Sequence, residues 1–377
     1  MHVPFVDLLA QYRSHRQEFD SALRAVIERT AFIGGEFVRN FERDFAAANG
    51  VKHCIACGNG TDAIYIVLRM LGIGPGDEVI TTAASWISTA ETIGQTGAQP
   101  VFVDVDDHYL IDLEQIERQI NPRTKAIIPV HLYGQAAPAW DLSALCRKHG
   151  LKLIEDCAQA HFAKWHGRTV GTFGIASTFS FYPGKNLGAW GDAGAIVTDD
   201  DDVARRCRMY ANHGALVKHQ HEMEGINSRM DGLHASLLSA KLKHVATWTA
   251  ERQRVAARYN ELLEGVGDLV LPRVRAGASH VYHLYVIRTE RRDALKQFLA
   301  ERGVDTAIHY PTALPFLNAY RHLNHTERDF PCAYRNQCQV LSLPMFAELD
   351  DSAVRFVCEA IKEFFLRAFP SAKATTR

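Results

Sequence analysis

Leu151-Lys152-Leu153-Ile154-Glu155-Asp156-Cys157-Ala158-Gln159-Ala160-His161 runs from an apolar stretch into two adjacent carboxylates and then into a polar turn. A short Leu/Ile run that ends in acids, an amide and a histidine reads as a strand whose carboxyl end faces a ligand. Alternation along a strand sends Glu155 and Asp156 to opposite sides, so one can face a site while the other does structural work. Similar short runs lie upstream at 53–57 (HCIAC), 77–82 (DEVITT), 100–105 (PVFVDV) and 125–130 (KAIIPV), and downstream at 176–181 (ASTFSF) and 194–198 (GAIVT). Helical patterns at 61–71, 112–119, 140–149 and 201–213 separate most of them. Apolar strands alternating with helices predict an α/β fold, with a mostly parallel sheet covered on both faces.

From about residue 230 the rhythm changes. Two long helices are expected at 230–247 and 250–263, then a break at 272–279, a strand at 281–288 and helices at 291–302 and 351–368. Residues 1–247, N-terminal segment included, are expected to form a large domain, and 248–377 a smaller C-terminal α/β domain. The tail at 371–377 is expected to fray.

Composition excludes several classes. The 377 residues carry 42 Lys plus Arg against 43 Asp plus Glu, a formal charge of −1, so no basic field gathers nucleic acid. Hydrophobic residues at 47% and charged residues at 23% are ordinary for a folded chain. No run approaches the ~20 apolar residues a membrane span needs. Met1-His2-Val3-Pro4 shows no signal-peptide pattern, so no export signal is expected, and eight cysteines are too few for a disulfide scaffold. A cytoplasmic enzyme with reduced thiols is expected, bound to neither nucleic acid nor membrane.

Three segments carry chemistry. Ser180-Phe181-Tyr182-Pro183-Gly184-Lys185-Asn186-Leu187-Gly188 puts a lysine in a tight polar loop just past a strand. Read alone, Lys185 is either a surface lysine or an amine desolvated enough to form a Schiff base with an aldehyde. Gly58-Asn59-Gly60-Thr61-Asp62-Ala63 joins a strand to a helix N-terminus. It is either an ordinary capped turn or a phosphate cradle of glycine backbone, hydroxyl and free N–H groups. Asp156, at the end of its strand, either caps a loop or holds a heteroaromatic nitrogen protonated by charge pairing. No G-x-G-x-x-G fingerprint, HExxH helix or G-x-S-x-G elbow is present, and a lone Cys54-x-x-Cys57 on a strand points its thiols to opposite faces. No metal site is expected.

In this order and spacing the chain resembles the pyridoxal 5′-phosphate (PLP) dependent sugar aminotransferases of the DegT/DnrJ/EryC1/StrS family, of aspartate aminotransferase fold type I. The motifs are Asn59-Gly60-Thr61-Asp62-Ala63, Pro129-Val130-His131-Leu132-Tyr133-Gly134-Gln135, Glu155-Asp156-Cys157-Ala158-Gln159, the lysine loop, Gly191-Asp192 and Asn227-Ser228-Arg229-Met230-Asp231. They extend, with Phe5-Val6-Asp7-Leu8 and His309-Tyr310-Pro311, over nearly the whole chain. The resemblance implies that Lys185 forms the Schiff base and that Asp156 partners the pyridinium nitrogen. It implies that Gln159 meets the phenolic oxygen, Trp86 stacks on the ring, and Gly60, Thr61 and Ser180 hold the phosphate. Asn227 would reach the phosphate of a neighbouring subunit, hence a homodimer with shared sites.

The reaction so implied moves an amino group from L-glutamate, by way of pyridoxamine 5′-phosphate, to the keto carbon of a nucleotide-linked sugar. The segment Lys218-His219-Gln220-His221-Glu222 before Gly225-Ile226-Asn227 most resembles members that aminate carbon 3 of a hexose, in amino-sugar and surface-polysaccharide synthesis. His219, His221, Arg229, His309 and Tyr310 are the candidates for binding that sugar nucleotide, dTDP- or UDP-linked. Two positions depart from the family pattern: Phe162 stands where glycine is frequent, and Gly191-Asp192-Ala193-Gly194 replaces Gly-Asp-Gly-Gly. Competing readings are amination at carbon 4 of a 6-deoxyhexose and a non-catalytic regulator that keeps the fold. A nicotinamide oxidoreductase is disfavoured by the missing fingerprint.

Overall fold

The computed structural model describes residues 1–368, so the tail at 371–377 lies outside the described residues. Helices α1 (Leu8–Ser14), α2 (Arg16–Glu28) and α3 (Gly35–Asn49) precede β1 (His53–Cys57). Then α4 (Gly60–Met70) leads to β2 (Glu78–Thr82) and α5 (Ser88–Gln95) to β3 (Gln99–Val103). In the same rhythm α6 (Leu113–Gln119) leads to β4 (Thr124–Ile128) and α7 (Ala139–His149) to β5 (Lys152–Asp156). A hairpin of β6 (Lys164–Trp165) and β7 (Arg168–Thr169) comes before β8 (Ala176–Ser180) and β9 (Gly194–Thr198). After α8 (Asp201–Tyr210), a second hairpin of β10 (Ala215–Val217) and β11 (Gln220–His221) reaches α9 (Gly232–Leu242) and α10 (Val245–Leu263). The C-terminal part is β12 (Tyr285–Arg288), α11 (Arg292–Glu301), α12 (Pro331–Gln339), β13 (Val340–Leu343) and α13 (Asp351–Ala368).

Seven strands form the central sheet in the order β1-β9-β8-β5-β4-β2-β3. The run from β8 to β3 is parallel throughout, and β9 is antiparallel to both β8 and β1. Side-chain alternation divides each strand between two cores. Cys54, Leu153, Phe179 and Val197 face one with α3, α7 and α9, and Ile55, Ile154, Ala176 and Ile196 face the other with α4 and α8. Phe41 and Phe45 of α3 are fully buried in the first core, each worth roughly 2–3 kcal/mol by burial. The expected mostly parallel, doubly covered sheet is thus observed.

A further core gathers Tyr285 and Ile287 of β12, Leu341 and Leu343 of β13 and Val354, Val357 and Ile361 of α13. Val3, from the other end of the chain, joins it by bridging Val304. The expected domain boundary at 247/248 falls inside α10, which gives Val245 and Trp248 to the first core and Val255, Tyr259 and Leu263 to the C-terminal one.

Two boundaries differ from expectation for tertiary reasons. The helix expected over 230–247 breaks after Leu242, where Lys243 and His244 both turn to Glu18 of α2, at 2.9 and 2.7 Å. The strand expected from 281 begins only at Tyr285. Val281 and Leu284 instead donate to the carbonyls of Gly134 and Tyr133 in the turn after β4. Among the described residues no helix is long and apolar enough to cross a membrane.

Candidate active site

The carboxyl ends of β2, β4, β5 and β8 converge with the N-terminus of α4, the usual ligand position in an open α/β sheet. The two acids of β5 part as alternation predicts. Glu155 is wholly structural: its carboxylate accepts from the backbone N–H of Gly171, Phe173 and Gly174 at 2.7–3.0 Å and pairs with His131 Nε2 at 3.1 Å. His131 Nδ1 in turn accepts from Ala137 N at 2.9 Å, so this buried His–Glu pair is used up in the scaffold.

Asp156, 4% exposed, accepts from Thr89 Oγ1 at 2.9 Å and from Ala158 N at 3.0 Å. Burial raises its pKa, against the lowering pull of those hydrogen bonds and of Lys185. A carboxylate in that state has hydrogen-bond support but no cation in contact, which suits a protonated ring nitrogen. Lys185 lies in the loop after β8, partly accessible as a residue, and burial brings its amine down to about 8 while Asp156 pulls it up. Burial, and after it the same ammonium, lowers three imidazoles: the fully buried His161, to about 3, His309, to about 4, and His283.

The phosphate-type segment is built as a capped turn. Asn59 Oδ1 accepts from Asp62 N at 2.8 Å, which starts α4. A Cβ at Gly60 would lie 2.7 Å from Ser180 Cβ, so only glycine lets the helix start meet the end of β8. Thr61 Oγ1 stands 2.7 Å from Ser88 Oγ. Helix-start N–H groups beside the hydroxyls of Thr61, Ser88 and Ser180 are a donor set of the kind that takes a phosphate. Gln159 spans the gap between strand ends: its carbonyl accepts from Tyr133 N at 2.7 Å and its amide donates to Tyr310 Oη at 2.9 Å. Trp86 is 58% exposed, with its ring 5.9 Å from that of Tyr310. This donor set fits PLP: an amine for the aldehyde, an acid for the ring nitrogen, an amide for the phenolic oxygen and a helix start for the phosphate.

The structure does not bring all the expected residues together. Tyr310 reaches Gln159, and His309 Nδ1 meets Ser342 Oγ at 2.8 Å. His219, His221 and Arg229 line a different cavity, of about 580 Å³, beside Arg208, His213 and Lys218. His219 sits at the exposed turn of the β10–β11 hairpin. Asn227 is exposed, whereas its neighbour Ser228 donates to Asp62 Oδ2 at 2.6 Å and accepts from Gly58 N at 3.0 Å. Phe162, at φ +61°, packs on Phe45 of α3, and Ala193 is buried in the same core. Thr89 escaped the sequence reading, and Tyr133 entered it only as part of the 129–135 motif, with no role. The Ser85/Thr89 spacing of one helical turn, just after β2, is the signal that could have found Thr89.

The chain matches the sequence model described as the DegT/DnrJ/EryC1/StrS aminotransferase family over residues 13–362. It is 46% identical over 97% of its length to the pleiotropic regulatory protein of Geobacillus stearothermophilus, 99% of which is covered. It is 43% identical to the UDP-N-acetyl-3-dehydro-α-D-glucosamine 3-aminotransferase of Acidithiobacillus ferrooxidans, with 96% of this chain and 97% of that one covered. The crystal structure of S. venezuelae DesV in complex with a ketimine intermediate superposes with a TM-score of 0.94 at 41% identity, covering 96% of this chain and 98% of that one.

Proposed function

We propose that this chain, which belongs to the DegT/DnrJ/EryC1/StrS aminotransferase family, is a PLP-dependent transaminase that carries an amino group from L-glutamate to carbon 3 of a nucleotide-linked keto-hexose. The observation that carries the reaction type is geometric: the neighbouring strands β5 and β8 end in a buried aspartate and in the loop lysine, which act on each other electrostatically at the sheet end. Carbon 3 is supported by the name of the Acidithiobacillus relative, at 43% identity. The 218–227 segment, similar to that of 3-aminating members, points the same way.

When bound, PLP supplies an aldehyde that takes up the amino group and a ring that withdraws electrons from the adjoining carbon. The chain supplies the rest. Asp156 holds a proton on the ring nitrogen, with Thr89 and Ala158 fixing the carboxylate. Lys185 Nζ, half neutral near pH 8, takes the proton from the α-carbon of glutamate and, in the return half, delivers one to carbon 3 of the sugar. Gln159 and Trp86 orient the ring, and Gly60, Thr61 and Ser180 hold the phosphate. The products are 2-oxoglutarate and the amino sugar. His309 and Tyr310 bind the sugar from within the chain.

The test is regiochemical. Matched 3-keto and 4-keto sugars, on dTDP and on UDP, are offered with L-glutamate, and kcat/KM is compared. A 3-keto compound should be preferred by at least about 10²-fold, some 2.7 kcal/mol of transition-state discrimination. A preference for 4-keto compounds refutes the carbon-3 assignment. No turnover on any of them favours the regulator that the name of the Geobacillus relative suggests, although Lys185 and Asp156 are both retained here.

The active unit is proposed to be a homodimer. Asn227 is exposed within its own chain while Ser228 occupies the turn at Gly58 and Asp62. Its side chain is therefore free to serve the phosphate site of a second copy, with His219, His221 and Arg229 beside it. Lys185→Ala and Asn227→Ala chains, each inactive alone, should on mixing regain up to about a quarter of wild-type activity, the share expected of hybrid dimers with one intact composite site. No recovery, with subunit exchange shown by mass tags, would place Asn227 in its own subunit's site or in none.

A further inference from the structure

The loop that carries Lys185 closes on itself. Lys185 N donates to Tyr182 O at 2.8 Å and Ala189 N to Phe181 O at 2.7 Å. A Cβ at Gly188 would lie 2.3 Å from Pro183 O, so the ends of the loop meet only because that residue is glycine. Side chains from behind fix this closed loop to the body of the protein. Asn186 Nδ2 donates to Val281 O at 2.8 Å. Lys241 of α9 sends its ammonium to the carbonyl oxygen of Gly188 at 2.7 Å.

Lys241 is an unusual residue for its place. It is 1% exposed, and its Nζ lies 5.6 Å from the ring centroids of both Phe19 and Trp190. Burial lowers its amine to about 8, with Glu348 pulling the other way. A leucine or methionine would fill the same wall with no charge to desolvate. A buried cation there needs a partner, and its hydrogen bond goes to the lysine loop, in the charge-assisted class that is stronger than a neutral one. The next helix repeats the device. Arg252 of α10, 6% exposed, donates to Tyr282 O at 3.1 Å and Met345 O at 2.9 Å, beside the Val281 that receives Asn186. Glu348 acts electrostatically on both cations. Thus two buried cations, sharing one acid, hold the two backbone segments between which Asn186 is strung.

We propose that Lys241 is a positioning residue for Lys185, its charged hydrogen bond to Gly188 O keeping the loop closed and the Lys185 amine within reach of Asp156. The proposal rests on Lys185 being the amine that captures the PLP aldehyde. Its helix is capped by Asp231, three residues past Ser228, so one element runs from beside the phosphate-side turn to the lysine loop.

The experiment follows Lys185 itself. Apo chains of wild type, Lys241→Met, Lys241→Gln and Lys241→Arg are exposed briefly to PLP across a pH series, reduced with borohydride, and the pyridoxyl-Lys185 peptide is quantified. Wild type should show half-maximal labelling near pH 8, following the neutral amine, and the variants are compared with it down to pH 7, where Lys241 keeps its charge. Methionine, and glutamine with its shorter uncharged arm, should move that midpoint upward, because a loop no longer held closed returns the Lys185 amine to water and burial, the largest influence on it, outweighs the pull of Asp156. Labelling at pH 7 should slow by about tenfold for each unit moved. Arginine, which keeps the charged donor, should restore the wild-type curve. A wild-type midpoint and rate in whichever of the Met and Gln variants folds would overturn the proposal, even if melting temperature falls. Wild-type label on a lysine other than Lys185 would instead overturn the reading on which it rests.

Discussion

Lys185→Ala should purify as a folded chain whose turnover is lower by on the order of 10⁴-fold, since one amine both anchors the cofactor and moves the proton. Loss of fold is not expected to contribute. Burial lowers the Lys185 amine, so the fold disfavours its charged form relative to the unfolded chain. The sign follows: below pH 8 the ammonium is retained at a cost to stability, a cost that fades as pH rises through the folded value of about 8 towards the ordinary 10.5. Alanine removes that cost, and the apo variant should melt no lower than wild type at neutral pH. Borohydride reduction of wild-type holoenzyme followed by peptide mapping should find the pyridoxyl group on Lys185. Turnover within tenfold of wild type in the variant would dismiss Lys185 as the reacting amine.

The proposed reaction pair was legible because each member sits at the end of its own strand. Composition and spacing place Asp156 at the end of β5 and Lys185 just past β8, and the sheet order makes those strands neighbours. The support around the pair was not legible, because it comes from far along the chain. Thr89 is 67 residues from Asp156, and Lys241 is 53 from Gly188. A hydroxyl on α5 or a lysine on α9 carries no local mark of what it will touch. The same limit explains the candidate sugar residues. A histidine in a loop announces its chemistry but not its direction, so His309 and Tyr310 fall by Gln159 and Ser342 while His219 and His221 line another cavity.

Elements divide along similar lines. β1, β9 and α13 begin and end where their apolar patterns do, since burial in a core and bounding Gly, Pro or Asp define them locally. The end of α9 and the start of β12 were misplaced, because Glu18 and the turn at 133–134 compete for their residues from outside. Propensity cannot register a competitor that only the fold brings near.

Asp156→Asn should separate activity from stability more sharply than any other single change. Asparagine keeps the volume and one carbonyl oxygen, so it can accept from Ala158 N while its NH₂ donates to the Thr89 hydroxyl, which can accept as well as donate. It carries no negative charge, and nothing else within hydrogen-bonding distance of that carboxylate can keep a ring nitrogen protonated. Turnover should fall by about 10³-fold, equivalent to some 4 kcal/mol of lost charge stabilisation. The apo-protein should respond the other way. Burial, the largest influence on Asp156, raises its pKa in the fold above the ordinary 3.8. Ionising it therefore disfavours folding once pH exceeds 3.8, by an amount that grows until the folded pKa is passed and stays constant above it. Asparagine, neutral throughout, escapes that cost, and the variant should match or exceed the wild-type melting temperature at pH 7. Thermal melts of both apo-proteins together with kcat under saturating PLP decide the matter. A variant that loses activity only in proportion to lost fold would make Asp156 a structural acid like Glu155, and a variant that keeps near-normal kcat would show that the ring nitrogen needs no carboxylate here.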